Sequence, residues 1–405
     1  MIKAEIIAVG SELLTPFRTD TNSLYLTRSL EEHGIQVRAK TIIGDDVNQI
    51  AHRISIASER SDVIVITGGL GPTIDDLTRD ALAKFLNVPL ILDQSILQKI
   101  ERRFAERNIK MPEANRKQAM IPKGATALEN ENGTAPGIFA ETGEKQIFVL
   151  PGPPFEMEAM WEKYALPHLK IGEHFERQVF KIALMGESKV DEMLRPVTSS
   201  LKQAEYTILA GPGEVEIHIL ATHHAKEELL EACNGVRAIL GNRIYAEELV
   251  TMEEVVARLL RGFNKTVSVA ESCTGGLLAH RLTQIPGSSH YFERGVVTYS
   301  NAAKNQLLRV PYELLEQHGA VSAPVAITMA EQIRSLSHSD FGLGITGIAG
   351  PDGGSEHKPV GLVFVALADL TVTRVEKYHF QPGRERIKFM SSQAALNLLR
   401  LRLTE

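Results

Sequence analysis

Ser272 stands in Val269-Ala270-Glu271-Ser272-Cys273-Thr274-Gly275-Gly276, where an apolar run ends and the amphipathic stretch Leu277–Leu282 begins. A hydroxyl at such a junction projects beside backbone N–H groups that a helix start leaves unpaired, and those groups can hold an oxyanion. The positions suggest Gly275 and Gly276 as the donors. Serine alone is a weak nucleophile and needs a base. Lys304 offers one without histidine, provided burial or nearby cations lower its pKa. It closes Arg294-Gly295-Val296-Val297-Thr298-Tyr299-Ser300-Asn301-Ala302-Ala303-Lys304, one turn into an expected helix that continues with Gln306, Leu307 and Leu308. The plainer readings are a helix cap for Ser272 or Thr274 and a solvated lysine for Lys304. Two rival nucleophiles stand close by. Cys273 would carry a reactive thiolate if the helix start or His280 and His290 lowered its pKa, although a buried structural cysteine is the simpler reading. Ser300 lies four residues before Lys304, and it or Asn301 also suits the helix cap. The third segment is Gly344-Ile345-Thr346-Gly347-Ile348-Ala349-Gly350-Pro351-Asp352-Gly353-Gly354, a strand entering a loop able to wrap an anion with backbone N–H groups.

A second group of residues sets carboxylates beside glycines. Gly68, Gly69 and Gly71 precede Thr73, Asp75 and Asp76 where a strand gives way to a helix. Glycines let the turn approach a ligand, and the helix start attracts phosphate. The spacing fits neither a Walker loop nor a GxGxxG fingerprint. Gly133 and Thr134 lie in a second glycine-rich turn. Gly152 lies in Pro151-Gly152-Pro153-Pro154-Phe155-Glu156, with Glu156 near a helix start. In open α/β sheets these loops share the carboxyl edge with Gly10-Ser11-Glu12. Acids beside a phosphate cradle imply a bridging hard cation such as Mg²⁺, held by Asp75, Asp76 and Glu156, with Asp45 and Asp46 next in line.

The elements needed to position these residues read as three segments. Residues 1–170 alternate strands (Ala4–Gly10, Gln36–Gly44, Asp62–Gly69, Gln146–Leu150) with helices (Asn22–His33, Ile50–Glu59, Asp75–Phe85), which argues a parallel α/β domain. Residues 175–246 read as a small α+β unit in which a hairpin around Gly211-Pro212-Gly213 replaces crossovers. Residues 250–405 return to α/β style, with strands at Thr266–Ser272, Gly295–Asn301, Phe341–Gly347 and Val360–Leu367.

In the first segment GGLGPTIDDLTRD, NENGTAPG and PGPPFEM resemble the molybdopterin-binding-like domain that opens CinA proteins, a domain similar to MoaB/MogA folds. In the third, AESCTGG, FERGVVTYSNAAK and GITGIAGPDGG resemble the CinA C-terminal domain, of the PncC nicotinamide mononucleotide deamidase type. The resemblance implies two α/β domains flanking a small KH-like α+β domain. It implies metal-dependent ADP-ribose pyrophosphatase activity in the first and metal-free deamidation of nicotinamide mononucleotide in the third. Ser272 would be the nucleophile and Lys304 the base, with Tyr299 and Thr346 as supporting polar groups. Gly347 and Gly350 would belong to the loop holding the ribose phosphate.

Composition narrows the alternatives. The chain has 405 residues and a formal charge of −6, so nothing global favours nucleic acid or an anionic membrane. Residues 176–245 carry 8 Lys/Arg against 10 Asp/Glu and no GxxG loop bracketed by basic residues, so RNA binding by the middle segment is not expected. His223 and His224 are adjacent and point apart if extended, so with His218 they read as surface or hydrogen-bonded groups. Two cysteines, Cys233 and Cys273, make no disulfide framework. Without a signal peptide or an apolar span, a cytoplasmic protein is expected, as a homodimer acting on small nucleotides. The rival classes are a non-enzymatic competence or DNA-repair scaffold and a pterin-binding first domain without hydrolysis.

Overall fold

A computed structural model describes residues 2–173 and 175–405, in two compact units that divide between Phe175 and Glu176. The first unit contains strands β1 (Ile2–Val9), β2 (Ile35–Ile43), β3 (Val63–Thr67), β4 (Leu90–Leu92), β5 (Met120–Pro122), β6 (Thr126–Leu128), β7 (Gly137–Thr142) and β8 (Lys145–Leu150). Its helices are α1 (Asn22–Glu32), α2 (Val47–Arg60), α3 (Thr78–Leu86), α4 (Gln94–Glu106) and α5 (Pro154–Met160). Six strands form one sheet in the order β2-β1-β3-β8-β7-β6, and β4 pairs with β5 beside it. Pleating divides β3 between two cores. Val63 and Val65 pack with Leu26, Leu30 and Trp161, while Ile64 and Ile66 pack with Ile50, Ile54 and Leu82. Helices on both faces explain the uninterrupted apolar run. The expected parallel sheet is corrected in part: the β2–β1, β1–β3 and β3–β8 pairings are parallel, but β8–β7 and β7–β6 are antiparallel. Strands β4, β5, β6 and β7 escaped the sequence reading, as did α4, although it buries Leu97 and Ile100 on one face.

The second unit opens with β9 (Phe175–Ala183, whose first residue belongs to the first unit), α6 (Glu187–Thr198), β10 (Glu205–Gly211), β11 (Glu214–Thr222), α7 (Lys226–Leu240) and β12 (Ile244–Ala246). Its sheet runs β10-β11-β9-β12, with the expected hairpin between β10 and β11. Strand β11 alternates buried Val215, Ile217, Ile219 and Ala221 with half-buried residues, so α6 and α7 cover one face only.

Then follow α8 (Met252–Gly262), β13 (Val267–Glu271), α9 (Leu277–Thr283), β14 (Phe292–Val297), α10 (Asn301–Leu308), α11 (Tyr312–His318), α12 (Ala323–Ser337), β15 (Phe341–Gly347), β16 (Leu362–Ala368), β17 (Thr373–His379) and α13 (Arg384–Leu403). The sheet order is β14-β13-β15-β16-β17, parallel across the first three strands and antiparallel beyond. From β13 the chain goes to one side for β14 and crosses back for β15. The carboxyl end of β13 is therefore a topological switch point, where α/β sheets bind ligands. Strands β1 and β3 play the same part in the first unit. The result is an α/β first unit, and a second unit in which a small α+β segment precedes a second α/β sheet.

Candidate active sites

Strand β13 is buried throughout, and its last residue, Glu271, is 1% exposed. Its carboxylate accepts from the backbone N–H groups of Gly276 (3.0 Å), Leu278 (3.0 Å) and Ala279 (2.8 Å). A negative charge thus satisfies the first turn of α9, where the helix dipole favours it. Neither Ser272 nor Thr274 is the cap. Gly276 occupies that position with φ +95°, a left-handed backbone that side chains disfavour.

With the cap supplied by Glu271, the Ser272 hydroxyl is left for Lys304. The Lys304 Nζ lies 3.0 Å from Ser272 Oγ and donates to the Thr298 carbonyl at 2.8 Å. Lys304 is 1% exposed, and burial pushes its pKa below the ordinary lysine value. No carboxylate pairs with the amine among the described residues. Desolvation penalises the charged form, so burial works toward the neutral amine that a base requires. A neutral amine that donates to Thr298 keeps its lone pair for the serine proton. Thr298 is itself fixed by its N–H donating to the Glu271 carbonyl at 2.7 Å, which ties the end of β14 to β13.

The other residues singled out in the sequence fall around this pair. Ser300 Oγ accepts from the Ala303 N–H at 3.1 Å and caps α10, which removes it as a nucleophile. Cys273 is buried, and desolvation raises its thiol pKa to about 12, so no thiolate forms near neutrality. His280 Nε2 pairs with the Gln284 side chain at 2.9 Å. The oxyanion assignment is corrected: Gly275 donates its N–H to the Ser272 carbonyl at 3.2 Å, and Gly276 donates to Glu271. The N–H groups of Cys273 and Thr274, next after the nucleophile, face the Cys273 thiol. Thr346 is buried and donates its hydroxyl to the Ala320 carbonyl at 2.7 Å, so it braces the end of β15. Tyr299 is exposed at the mouth, its hydroxyl accepting from Arg384 Nη2 at 2.9 Å. Arg384 Nη1 donates to the Gly350 carbonyl at 2.8 Å. Arg384 and Glu271 escaped the sequence reading. Glu271 is adjacent to the motif serine, but Arg384 comes 80 residues after Lys304 and has no local signal.

In the first unit, the carboxyl ends of β1, β3 and β8 open into a cleft of about 780 Å³. Gly10, Glu12, Gly68, Gly69, Gly71, Thr73, Thr134 and Gly152 line it, as do Asp20, Asp45, Asp75, Asp76 and Glu156. Gly68 has φ +94°, and a Cβ there would sit 2.1 Å from the Val9 carbonyl oxygen, so only glycine fits. Gly133 lines a neighbouring groove instead. Helix α3 starts at Thr78, later than expected, so Asp75 and Asp76 belong to the loop. The Thr73 hydroxyl lies between these two carboxylates and holds the Asp75 carboxyl below its ordinary pKa. Glu156 Oε2 accepts from Asn130 Nδ2 at 2.7 Å. Asp45 accepts from the Ser11 N–H and hydroxyl, both at 2.8 Å, and Asp46 caps α2. Among the described residues no three acidic, imidazole or thiol groups converge as a cation cage. The expected trio Asp75, Asp76 and Glu156 is therefore not assembled as one ligand set. What the cleft offers is an adjacent carboxylate pair, which could hold a hard cation only with further oxygens from a ligand or water.

Among the described residues no helix is long and apolar enough to cross a membrane. Three family models match successive segments: a probable molybdopterin binding domain at residues 5–171, the damage-inducible protein CinA KH domain at 177–246, and the CinA C-terminal domain at 249–403. A putative competence-damage inducible protein of Caldicellulosiruptor bescii is 45% identical, over 99% of both chains. CinA-like proteins of Koribacter versatilis and Solibacter usitatus are each 44% identical, the first over 99% of both chains and the second over 99% of this chain and 98% of its own.

Proposed function

The chain belongs to the CinA family, and from that premise we propose that it is a bifunctional hydrolase whose C-terminal domain deamidates nicotinamide mononucleotide. One observation carries this reading: a buried lysine, without an acidic partner among the described residues, with its Nζ 3.0 Å from Ser272 Oγ. Lys304 takes the hydroxyl proton as Oγ attacks the carboxamide carbon. The developing oxyanion would be held by backbone N–H groups of the turn that follows Ser272. Collapse of the adduct breaks the C–N bond, and the Lys304 ammonium returns its proton to the leaving ammonia. Water, deprotonated by the same amine, then attacks the acyl ester. Nicotinic acid mononucleotide leaves, and Ser272 regains its proton. Ammonia and nicotinic acid mononucleotide should form in equal amounts in the presence of excess chelator. Dependence of this reaction on added metal would overturn the proposal.

The N-terminal cleft is proposed to hydrolyse ADP-ribose to AMP and ribose 5-phosphate. Asp75 and Asp76 would hold a divalent cation, Mg²⁺ or similar, which supplies charge neutralisation and water activation when bound. The loop Gly69–Gly71 would cradle the pyrophosphate through its N–H groups, that of Gly68 being bonded to the Leu150 carbonyl. Neither reaction involves nucleic acid as a partner.

A further inference from the structure

Helix α13 reaches the second site with more than Arg384. Lys388 lies one turn further along the same helix face. Its Nζ is 3.7 Å from the point a methyl group on Gly275 would occupy. Gly275 in turn donates to the Ser272 carbonyl, so the ammonium stands over the turn that carries the nucleophile. Lys388 is half-buried, and among the described residues its Nζ has no hydrogen-bond or ion-pair partner. The two basic groups are therefore differently employed. The Arg384 guanidinium joins Tyr299 after β14 to Gly350 after β15 and is occupied by the protein itself. Lys388 faces the turn after β13 and is left free for a ligand. Both lie in the first two turns of a 20-residue helix whose dipole adds to their positive field.

Resting on the deamidase reading above, we propose that Lys388 is an anion-binding residue of the C-terminal site, in addition to the loop of Gly347 and Gly350. It receives the 5′-phosphate of the mononucleotide and lets the site select phosphorylated over unphosphorylated nicotinamide ribosides. A lysine suits this task as a mobile point charge with three donors. The phosphate lies remote from the carboxamide, so its binding energy holds the substrate without taking part in bond breaking.

The test uses the full chain, with Lys388→Ala and Lys388→Arg. Lys388→Ala should raise KM for nicotinamide mononucleotide by about tenfold or more with kcat little changed, the loss expected for one charge-assisted contact. The kinetics of nicotinamide riboside should not move, and Lys388→Arg should recover most of the loss. An unchanged preference for mononucleotide over riboside in Lys388→Ala would overturn the proposal. Calorimetry with nicotinic acid mononucleotide separates this claim from its premise. If the wild-type chain releases no ammonia but binds this ligand, and Lys388→Ala weakens binding by about tenfold or more, the deamidase reading fails and the anion site stands. Equal affinity in the two proteins overturns the anion site whatever the activity.

Discussion

Lys304 works as a base only while uncharged, and its environment fixes the sign of its pH dependence. Burial lowers the pKa, so the neutral amine is present above the folded-state pKa and lost as pH falls through it. The rate kcat/KM for deamidation should therefore decline on the acid side, by about tenfold per pH unit once the amine is protonated. A rate that stays flat far below neutrality would argue against a lysine base. Lys304→Arg should be inactive, because a guanidinium does not give up its proton. Cys273→Ala should keep activity within about threefold, since the thiol, pushed up to about 12, is protonated throughout the working range.

The element that makes this chemistry available is the junction of β13 and α9. Glu271 caps the helix, which frees Ser272 from capping and commits the N–H groups of Gly276, Leu278 and Ala279. Glu271→Ala should destabilise the protein by about 3 kcal/mol, the cost of orphaning buried donors, measurable as a lower urea midpoint. Glu271→Gln should lose less. Much of this junction was legible in the sequence. The strand run, the glycine pair and the lysine one turn into the next helix are local patterns, and the structure brings Ser272 and Lys304 together. The oxyanion donors were misassigned because spacing places N–H groups near the serine without revealing which are already bonded. Arg384 was illegible for a related reason: it meets Tyr299 and Gly350 only once α13 packs against the sheet. In the first domain the carboxylates on the cleft were readable from their loops. The start of α3 was not, because Thr73, Asp75 and Asp76 bond among themselves and hold the chain out of the helix until Thr78.

On the scale of the whole molecule, the two candidate sites belong to separate compact units, and their chemistries should separate. Asp75→Asn combined with Asp76→Asn should lower ADP-ribose hydrolysis by about a hundredfold or more and leave ammonia release unchanged. Excess chelator should do the same to the wild-type chain. Full pyrophosphatase activity under chelation would remove the cation from the account. The central claim is that a serine and a buried lysine act as one unit. It is tested most directly by ammonia release from nicotinamide mononucleotide in the wild-type chain, Ser272→Ala, Lys304→Ala and the double variant. Each single change should lower kcat/KM by about a thousandfold or more, with the double little worse than either. Substantial activity in Ser272→Ala, or losses that multiply in the double variant, would contradict it.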